Sequence, residues 1–395
     1  MTLPAPMTRP DHPIPGSPDP PIPPGIYLHL PYCRVRCSYC TFVVSTDDSS
    51  AAAYEDALLR EIALLAPEAN GAAFDSVYLG GGTPSLTPAP QLARLLDRLR
   101  ERFAILSGAE ITLEANPEDI SPPAARDWAA TGVTRVSVGV QSLDDRELLA
   151  VGRRHDAAAA RRALEMLAGA GLSLSGDLIL GLPEQTPESF RASLRELSRS
   201  GAGHVSIYLL ETDKSKPTAE DRRLHPSRYL SDDAQADLWL EAGETLAREG
   251  FSHYEISNWA RPGEFARHNV KYWKRAPTLG LGVSAHELWG GRRRANVSAL
   301  RRYVEELAAG RRPVASDAAV TDEESARERL VLGLRLAEGV PAGDVEGYIR
   351  ASGDPTLAAD YASWRDGRLL EEASGRVRFT ERGFLVSNEI LCRFV

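Results

Sequence analysis

From Gly25 onward the spacing of apolar and polar positions changes period repeatedly. Short runs rich in β-branched and aromatic residues, at 26–30, 74–79, 110–114, 134–140, 174–180 and 204–210, predict strands. Between them, 54–65, 91–103, 124–130, 157–168 and 187–200 carry apolar residues at spacings of three and four, the stripe of a helix packed on one side. Strands alternating with helices predict an α/β protein with parallel pairing and right-handed crossovers. The many apolar strand positions suit a sheet buried on both faces. Six such units are too few for an eightfold barrel and fit a partial (β/α)6 TIM-like barrel, with a doubly wound sheet as the alternative.

A helix at 233–248 follows, and the pattern then loosens into an aromatic, Gly-rich stretch at 251–291 before another helix at 297–309. Beyond Pro313 come helices at 323–336, 341–349 and 355–366, a short strand at 377–379 and a final helix at 381–394, an order that predicts a winged-helix-like domain. The first 24 residues hold ten prolines and few large apolar groups, which cannot repay the entropy of ordering. The expected division is therefore a disordered Pro-rich tail at 1–24, a barrel core at 25–250, an extension at 251–315 and the C-terminal domain at 316–395. Met7 is a second candidate start.

Composition narrows the class. The 395 residues are 43% hydrophobic and 26% charged, which excludes a collagen, a disulfide-stapled scaffold and a wholly disordered chain. A formal net charge of −9 lacks the footprint of a nucleic-acid binder, so a packing or lid role is expected for the winged-helix-like part. There is no run of about eighteen apolar residues and no basic-then-apolar leader, which predicts a cytoplasmic protein. In that reducing compartment, clustered cysteines hold metal more readily than they form a disulfide.

The chain has four cysteines, and three of them, Cys33, Cys37 and Cys40, fall in the string Tyr-Leu-His-Leu-Pro-Tyr-Cys-Arg-Val-Arg-Cys-Ser-Tyr-Cys-Thr-Phe directly after the first predicted strand. Three thiolates on one loop can grip three corners of a cubane iron-sulfur cluster and leave the fourth iron open. Zinc is the alternative, but a structural zinc wants four protein ligands. Cys392 lies beside Leu391 and Phe394 and reads as a small buried hydrophobe. Trp128 and Trp239 read as core.

Polar or Gly-rich elements recur where the predicted strands end, the face on which parallel barrels build sites. Gly80-Gly81-Gly82-Thr83-Pro84 follows the second strand, Glu114-Ala115-Asn116-Pro117 ends the third, Gly139-Val140-Gln141-Ser142 the fourth, and Asp177 lies in the fifth. A carboxylate or amide at such a position either faces the common mouth or caps the next helix.

The C-x3-C-x2-C loop after a first strand resembles that of the radical S-adenosylmethionine (SAM) enzymes. The resemblance implies a 4Fe-4S cluster on Cys33, Cys37 and Cys40, with the amino and carboxylate groups of SAM on the unique iron, and a sulfonium that the reduced cluster cleaves to a 5'-deoxyadenosyl radical. It further implies that Tyr39 packs near the adenine and that the exposed backbone of Gly81 and Gly82 takes the SAM amino group. From Gly25 to the C-terminus, the order of motifs is similar to the coproporphyrinogen III dehydrogenase group and its relatives, the HemW-type heme chaperones. Carried over position by position, Tyr27, Gly82, Thr83, Glu114, Gln141, Arg153 and Asp177 match SAM-contacting positions, with Arg154 the neighbour of Arg153.

Within that resemblance two functions compete, a heme chaperone and an oxygen-independent coproporphyrinogen III oxidase. The decarboxylating enzymes typically carry a fourth cysteine two residues after the third, whereas HemW-type proteins have phenylalanine, and here Phe42 stands there. His268-Asn269-Val270-Lys271-Tyr272-Trp273 resembles the HNxxYW heme motif, which implies His268 as heme ligand, with His286 and His29 behind it. Tyr254-Glu255-Ile256-Ser257-Asn258 and Gly280-Leu281-Gly282 with Ala285-His286 also resemble HemW-type patterns. Only the Pro-rich tail precedes Gly25, where the dehydrogenases have folded residues shaping the substrate site. Thr41 replaces a usual Asp and Val283-Ser284 a usual Pro-Gly, which affects the porphyrin side of the expected pocket. The implied protein carries heme to acceptors such as respiratory enzymes, with residual or absent radical catalysis, an electron donor if the cluster is reduced, no nucleic acid, and membrane association only through its acceptors.

Overall fold

The computed structural model describes residues 22–212 and 217–395. The expected tail lies outside the described residues as far as residue 21. Residues 22–24 are half-buried, and Pro23 O accepts a hydrogen bond from Lys271 Nζ at 2.7 Å, so the packed chain includes three residues assigned to the tail.

Six strands, β1 (Gly25–Leu30), β2 (Ala73–Gly81), β3 (Ala104–Ala115), β4 (Arg135–Gln141), β5 (Ser173–Leu180) and β6 (His204–Leu209), lie side by side in chain order and all run parallel. They are joined through α1 (Ala51–Ala69), α2 (Ala89–Arg102), α3 (Pro122–Thr131), α4 (Asp145–Ala150), α5 (Ala157–Ala168) and α6 (Pro187–Arg199). The helices form where an apolar stripe meets a defined start. Leu92, Leu95, Leu96 and Leu99 are the buried face of α2, each contributing on the order of 1.5–3 kcal/mol. Pro187 opens α6 behind a reciprocal Thr186–Ser189 capping box.

The sheet differs from the expectation of two apolar faces. In β4, Val136, Val138 and Val140 are wholly buried against the helices, while Arg135, Ser137, Gly139 and Gln141 point the other way and line a cavity. Thr112 and Glu114 of β3, Ser175 and Asp177 of β5, and His204 and Ser206 of β6 line the same cavity. Strand side chains alternate faces, so one face of each strand builds the core and the other a polar well.

After α7 (Pro217–Leu224) and α8 (Asp232–Arg248), the stretch expected to be loose contains β7 (Ser252–Glu255), β8 (Asn258–Ala260), α9 (Arg267–Trp273), β9 (Thr278–Leu281) and β10 (His286–Trp289), followed by β11 (Arg292–Asn296), α10 (Leu300–Ala308) and β12 (Val314–Ala319). These strands extend both edges, giving the order β12-β11-β10-β9-β1-β2-β3-β4-β5-β6-β8-β7, an open sheet whose two ends do not pair. Five of them are only three to five residues long and the sixth, β12, is exposed along nearly its whole length, so no apolar period registers.

The C-terminal part runs α11 (Asp322–Gly333), β13 (Val340–Pro341), α12 (Ala342–Ser352), α13 (Pro355–Asp366), β14 (Leu370–Ala373) and β15 (Arg376–Phe379), with a sheet ordered β13-β15-β14, a winged-helix-like topology. The single final helix is corrected to α14 (Glu381–Leu385), α15 (Ser387–Leu391) and a 3-10 turn, because Val386 leaves helical dihedrals at φ −113° and ψ 20°. Cys392 in that turn is exposed rather than core, its Sγ bonded to Glu389 O at 3.0 Å. Trp128 and Trp239 are buried. This unit is stitched to the β7 region by Ile256 N to Arg335 O and Ala337 N to Tyr254 O, both 2.9 Å.

Candidate functional site at the barrel mouth

The loop after β1 brings Cys33, Cys37 and Cys40, all free thiols, to the wall of one cavity of about 360 Å³. Its base is pinned on both sides. Cys33 N donates to Ser45 O at 2.9 Å, Ser45 N to Pro31 O at 2.8 Å, and Ser38 N to Val151 O at 3.3 Å. His29 holds it from below, with Nε2 on Val43 O at 2.9 Å and Nδ1 on the Tyr27 hydroxyl at 3.0 Å. Two donors reach sulfur: Thr83 Oγ1 lies 3.2 Å from Cys33 Sγ and Arg153 Nη1 3.7 Å from Cys37 Sγ. Burial pushes the Cys33 thiol up, with the Thr83 bond opposing. Among the described residues no three His, Cys, Asp or Glu side chains converge as a single metal ion requires. Three thiolates that each hold a different iron of a cubane need not converge, so the donor set fits that cluster better than a four-ligand zinc.

In the glycine segment, whose backbone is expected to take an amino group, the N–H groups are engaged within the chain. Gly81 N donates to Glu114 Oε2 at 3.0 Å, Gly82 N to Leu30 O and Thr83 N to Tyr32 O at 2.8 Å. With these N–H groups used internally, this main chain can meet a ligand only through carbonyl oxygens, which suits a donor such as an ammonium. Two glycines are required sterically. A Cβ on Gly81, at φ +117°, would stand 2.6 Å from the His29 ring, and one on Gly82 would stand 2.6 Å from the Pro31 carbonyl.

Glu114 also accepts from Tyr78 Oη at 2.8 Å, and burial still pushes its carboxyl up to about 7. Asp177 accepts from Ser137 Oγ at 3.2 Å, and burial raises it to about 6. Arg153 Nη2 bonds Asn116 Oδ1 at 2.7 Å and Gly139 O at 2.8 Å, leaving Nε buried without a partner, whereas Arg154 is exposed and outside the cavity. Gln141 ends β4 at φ +65°, a left-handed conformation uncommon for a side-chain-bearing residue, and lines the cavity. Tyr39 lines it too, packed against Val151, Ile179, Leu182, Leu210 and Tyr229. Tyr78, Ser137, His204 and Ser206 are site-wall residues that the motif reading missed. The period-two alternation of their strands was the signal that could have found them.

Other expected residues lie elsewhere. Tyr27 is not on the cavity wall but stacks behind Tyr78, ring centroids 6.1 Å apart. His268 is fully buried in α9, its Nδ1 bonded to Ser76 Oγ at 3.0 Å and its Nε2 to Tyr272 Oη at 2.9 Å. It faces the start of β1, where a Cβ on Gly25 would meet His268 Nδ1 at 2.9 Å, so the HNxxYW segment forms the floor of the barrel opposite the cysteine loop. Burial, with the nearby Lys271 charge, lowers His268 to about 3. His286 is exposed on β10, away from the cavity, and His29 has both nitrogens engaged. Val283 and Ser284 lie off the cavity, beside Glu61 and Tyr54, which accept from Gly282 N and Val283 N.

A cysteine loop over the polar well of a partial parallel barrel defines the radical SAM class, and the model of the radical SAM superfamily matches residues 27–197. The model of the HemN C-terminal domain matches residues 320–386. The chain is 34% identical to the heme chaperone HemW of Mycobacterium tuberculosis, over 92% of this chain and 94% of that one. It is 29% identical to HemW of Lactococcus lactis, over 94% and 97%. Among solved structures it is similar to coproporphyrinogen III oxidase (HemN) from Escherichia coli, a radical SAM enzyme, with a TM-score of 0.82, 25% identity, and coverage of 95% and 90%. The chain belongs to the HemW family. Among the described residues no helix is long and apolar enough to cross a membrane.

Proposed function

We propose that this protein is a heme chaperone that binds heme and passes it to acceptor proteins, and that it carries a 4Fe-4S cluster and SAM. The family relationship, close to full length on both sides, is the observation that carries this reading. Phe42 supports it, since it occupies the place of the additional cysteine expected in the decarboxylating enzymes. In this reading Cys33, Cys37 and Cys40 hold the cluster and Thr83 and Arg153 steady the sulfurs of Cys33 and Cys37. A bound cluster supplies an electron and an open iron for SAM.

Around that iron the chain's own groups divide the work. Glu114 fixes Gly81 and so presents the glycine carbonyls to an ammonium. Asp177, Gln141, Arg153 and Tyr39 line the wall on which the rest of SAM would lie, with Tyr27 stacked behind Tyr78. His268, with both nitrogens bonded inside the floor, could ligate heme iron only if that floor opened. The acceptors fitting this role are cytoplasmic or membrane-attached heme proteins such as respiratory enzymes.

The test is a transfer assay. The anaerobically reconstituted protein is loaded with hemin and mixed with an apo heme protein. Appearance of the holo spectrum in the acceptor is expected, and failure to bind or release hemin would sink the reading. A second reading, oxidative decarboxylation of coproporphyrinogen III, is favoured by the similarity to the Escherichia coli oxidase.

A further inference from the structure

Single exposed apolar side chains are ordinary on a protein surface, but a group of them around one opening is not. Val35 is 44% exposed, Phe42 60%, Leu209 46% and Tyr208 43%, the last with its hydroxyl turned to Ser206 and Asp177, and all four line the mouth of the cavity that holds the three cysteines. Two elements supply them. Val35 and Phe42 come from the cysteine loop, and Tyr208 and Leu209 from the end of β6. The wall below is of the opposite character, with Glu114, Ser137, Asp177 and Ser206. An apolar ligand therefore loses nothing by resting on the rim and would strand polar groups by entering the well.

The charge on the rim narrows the ligand further. Arg36 is exposed, lines the same mouth and makes no ion pair with any described residue; its guanidinium reaches only the Phe42 carbonyl, at 3.5 Å. An apolar surface with the Arg36 cation on its cysteine-loop margin and the exposed Glu211 carboxylate on its β6 margin complements a flat apolar molecule whose anionic edge lies on the loop side. Resting on the heme-carrying reading above, we infer that the porphyrin face of the cargo lies across Val35, Phe42, Tyr208 and Leu209, with a propionate on Arg36, outside the polar well.

The test uses the full chain, reconstituted anaerobically, and follows porphyrin binding by the Soret band. The visible absorbance of the cluster and the thermal unfolding curve serve as controls. Phe42→Asp and Leu209→Asp are each expected to weaken hemin binding tenfold or more. Leu209 lies on β6, away from the cysteine loop, so it decides the matter if Phe42→Asp disturbs the cluster. Arg36→Ala is expected to weaken zinc protoporphyrin IX severalfold and leave its dimethyl ester, which has no carboxylates, unchanged. If the unaltered protein binds no hemin, the chaperone reading itself falls. If it binds hemin and Leu209→Asp and Arg36→Ala bind it within twofold of the parent, the rim assignment alone is overturned. Variants that bind hemin normally but no longer deliver it would assign the rim to an acceptor protein's surface, which also overturns the inference.

Discussion

His268 lies over Tyr78 with ring centroids 5.2 Å apart and planes 30° from parallel. Tyr78 in turn donates to Glu114, and Glu114 accepts from Gly81 N, so the floor of the barrel and the glycine segment at its mouth share one hydrogen-bonded stack.

Removing the His268 ring leaves the Ser76 and Tyr272 hydroxyls without their partner and opens a hole under Tyr78. His268→Ala is expected to cost about 2–4 kcal/mol in urea unfolding. A folded His268→Gln protein should bind hemin like the parent. Loss of hemin binding in His268→Gln with unchanged unfolding and cluster absorbance would instead make His268 the ligand.

The four cysteines should behave as three plus one. Cys33→Ser, Cys37→Ser and Cys40→Ser should each abolish the visible absorbance and most of the iron and sulfide after anaerobic reconstitution. Cys392→Ala, at an exposed position remote in sequence, should change neither. Retention of a full cluster in any of the first three would contradict the ligand assignment.

Gly82 touches the start of the cysteine loop. An added methyl stands 2.6 Å from backbone atoms of Pro31, which cannot yield as a flexible side chain would. Gly82→Ala should therefore displace the loop, at about 1–3 kcal/mol of stability, and cut reconstituted iron content by more than half. Thermal unfolding and iron analysis of the same preparation check this, and normal iron content would count against the packing.

The carboxyl of Glu114 binds its proton more tightly in the folded chain, near 7, than its ordinary value of 4.5. Between those values the folded state holds the proton that the unfolded state has released, so this group's contribution to stability is lost as pH rises through about 4.5 to 7. Glu114→Gln removes that dependence while offering groups to Tyr78 and Gly81. The stability of the parent relative to Glu114→Gln should fall by up to ~3 kcal/mol between pH 5 and pH 8, measured by urea unfolding. A difference that stays constant with pH would refute the perturbed carboxyl.

The six parallel strands and five of the helices between them could be read from the chain because their apolar positions are strongly periodic, whereas α4, a single six-residue helix, was missed. α5 (Ala157–Ala168), for example, begins at Asp156, whose side chain accepts from Ala159 N, as a capping residue should. The edge strands escaped because β8 has three residues and β13 only two, and their places are set by partners distant in sequence. The cysteine loop and glycine segment were legible as motifs. Their supports were not, since the bond from Gly81 to Glu114 spans 33 positions and that from Arg153 to Gly139 depends on where β4 ends. His268 shows the opposite limit. A motif can be recognised from sequence, but the Ser76 and Tyr272 contacts that occupy its imidazole depend on which end of the barrel α9 covers.

The most direct test gives one anaerobically reconstituted preparation coproporphyrinogen III with SAM and reductant, and separately hemin. Heme carriage predicts a saturable Soret band with hemin and unchanged coproporphyrinogen III by chromatography. Decarboxylated product in the first sample, or no hemin binding in the second, would contradict it.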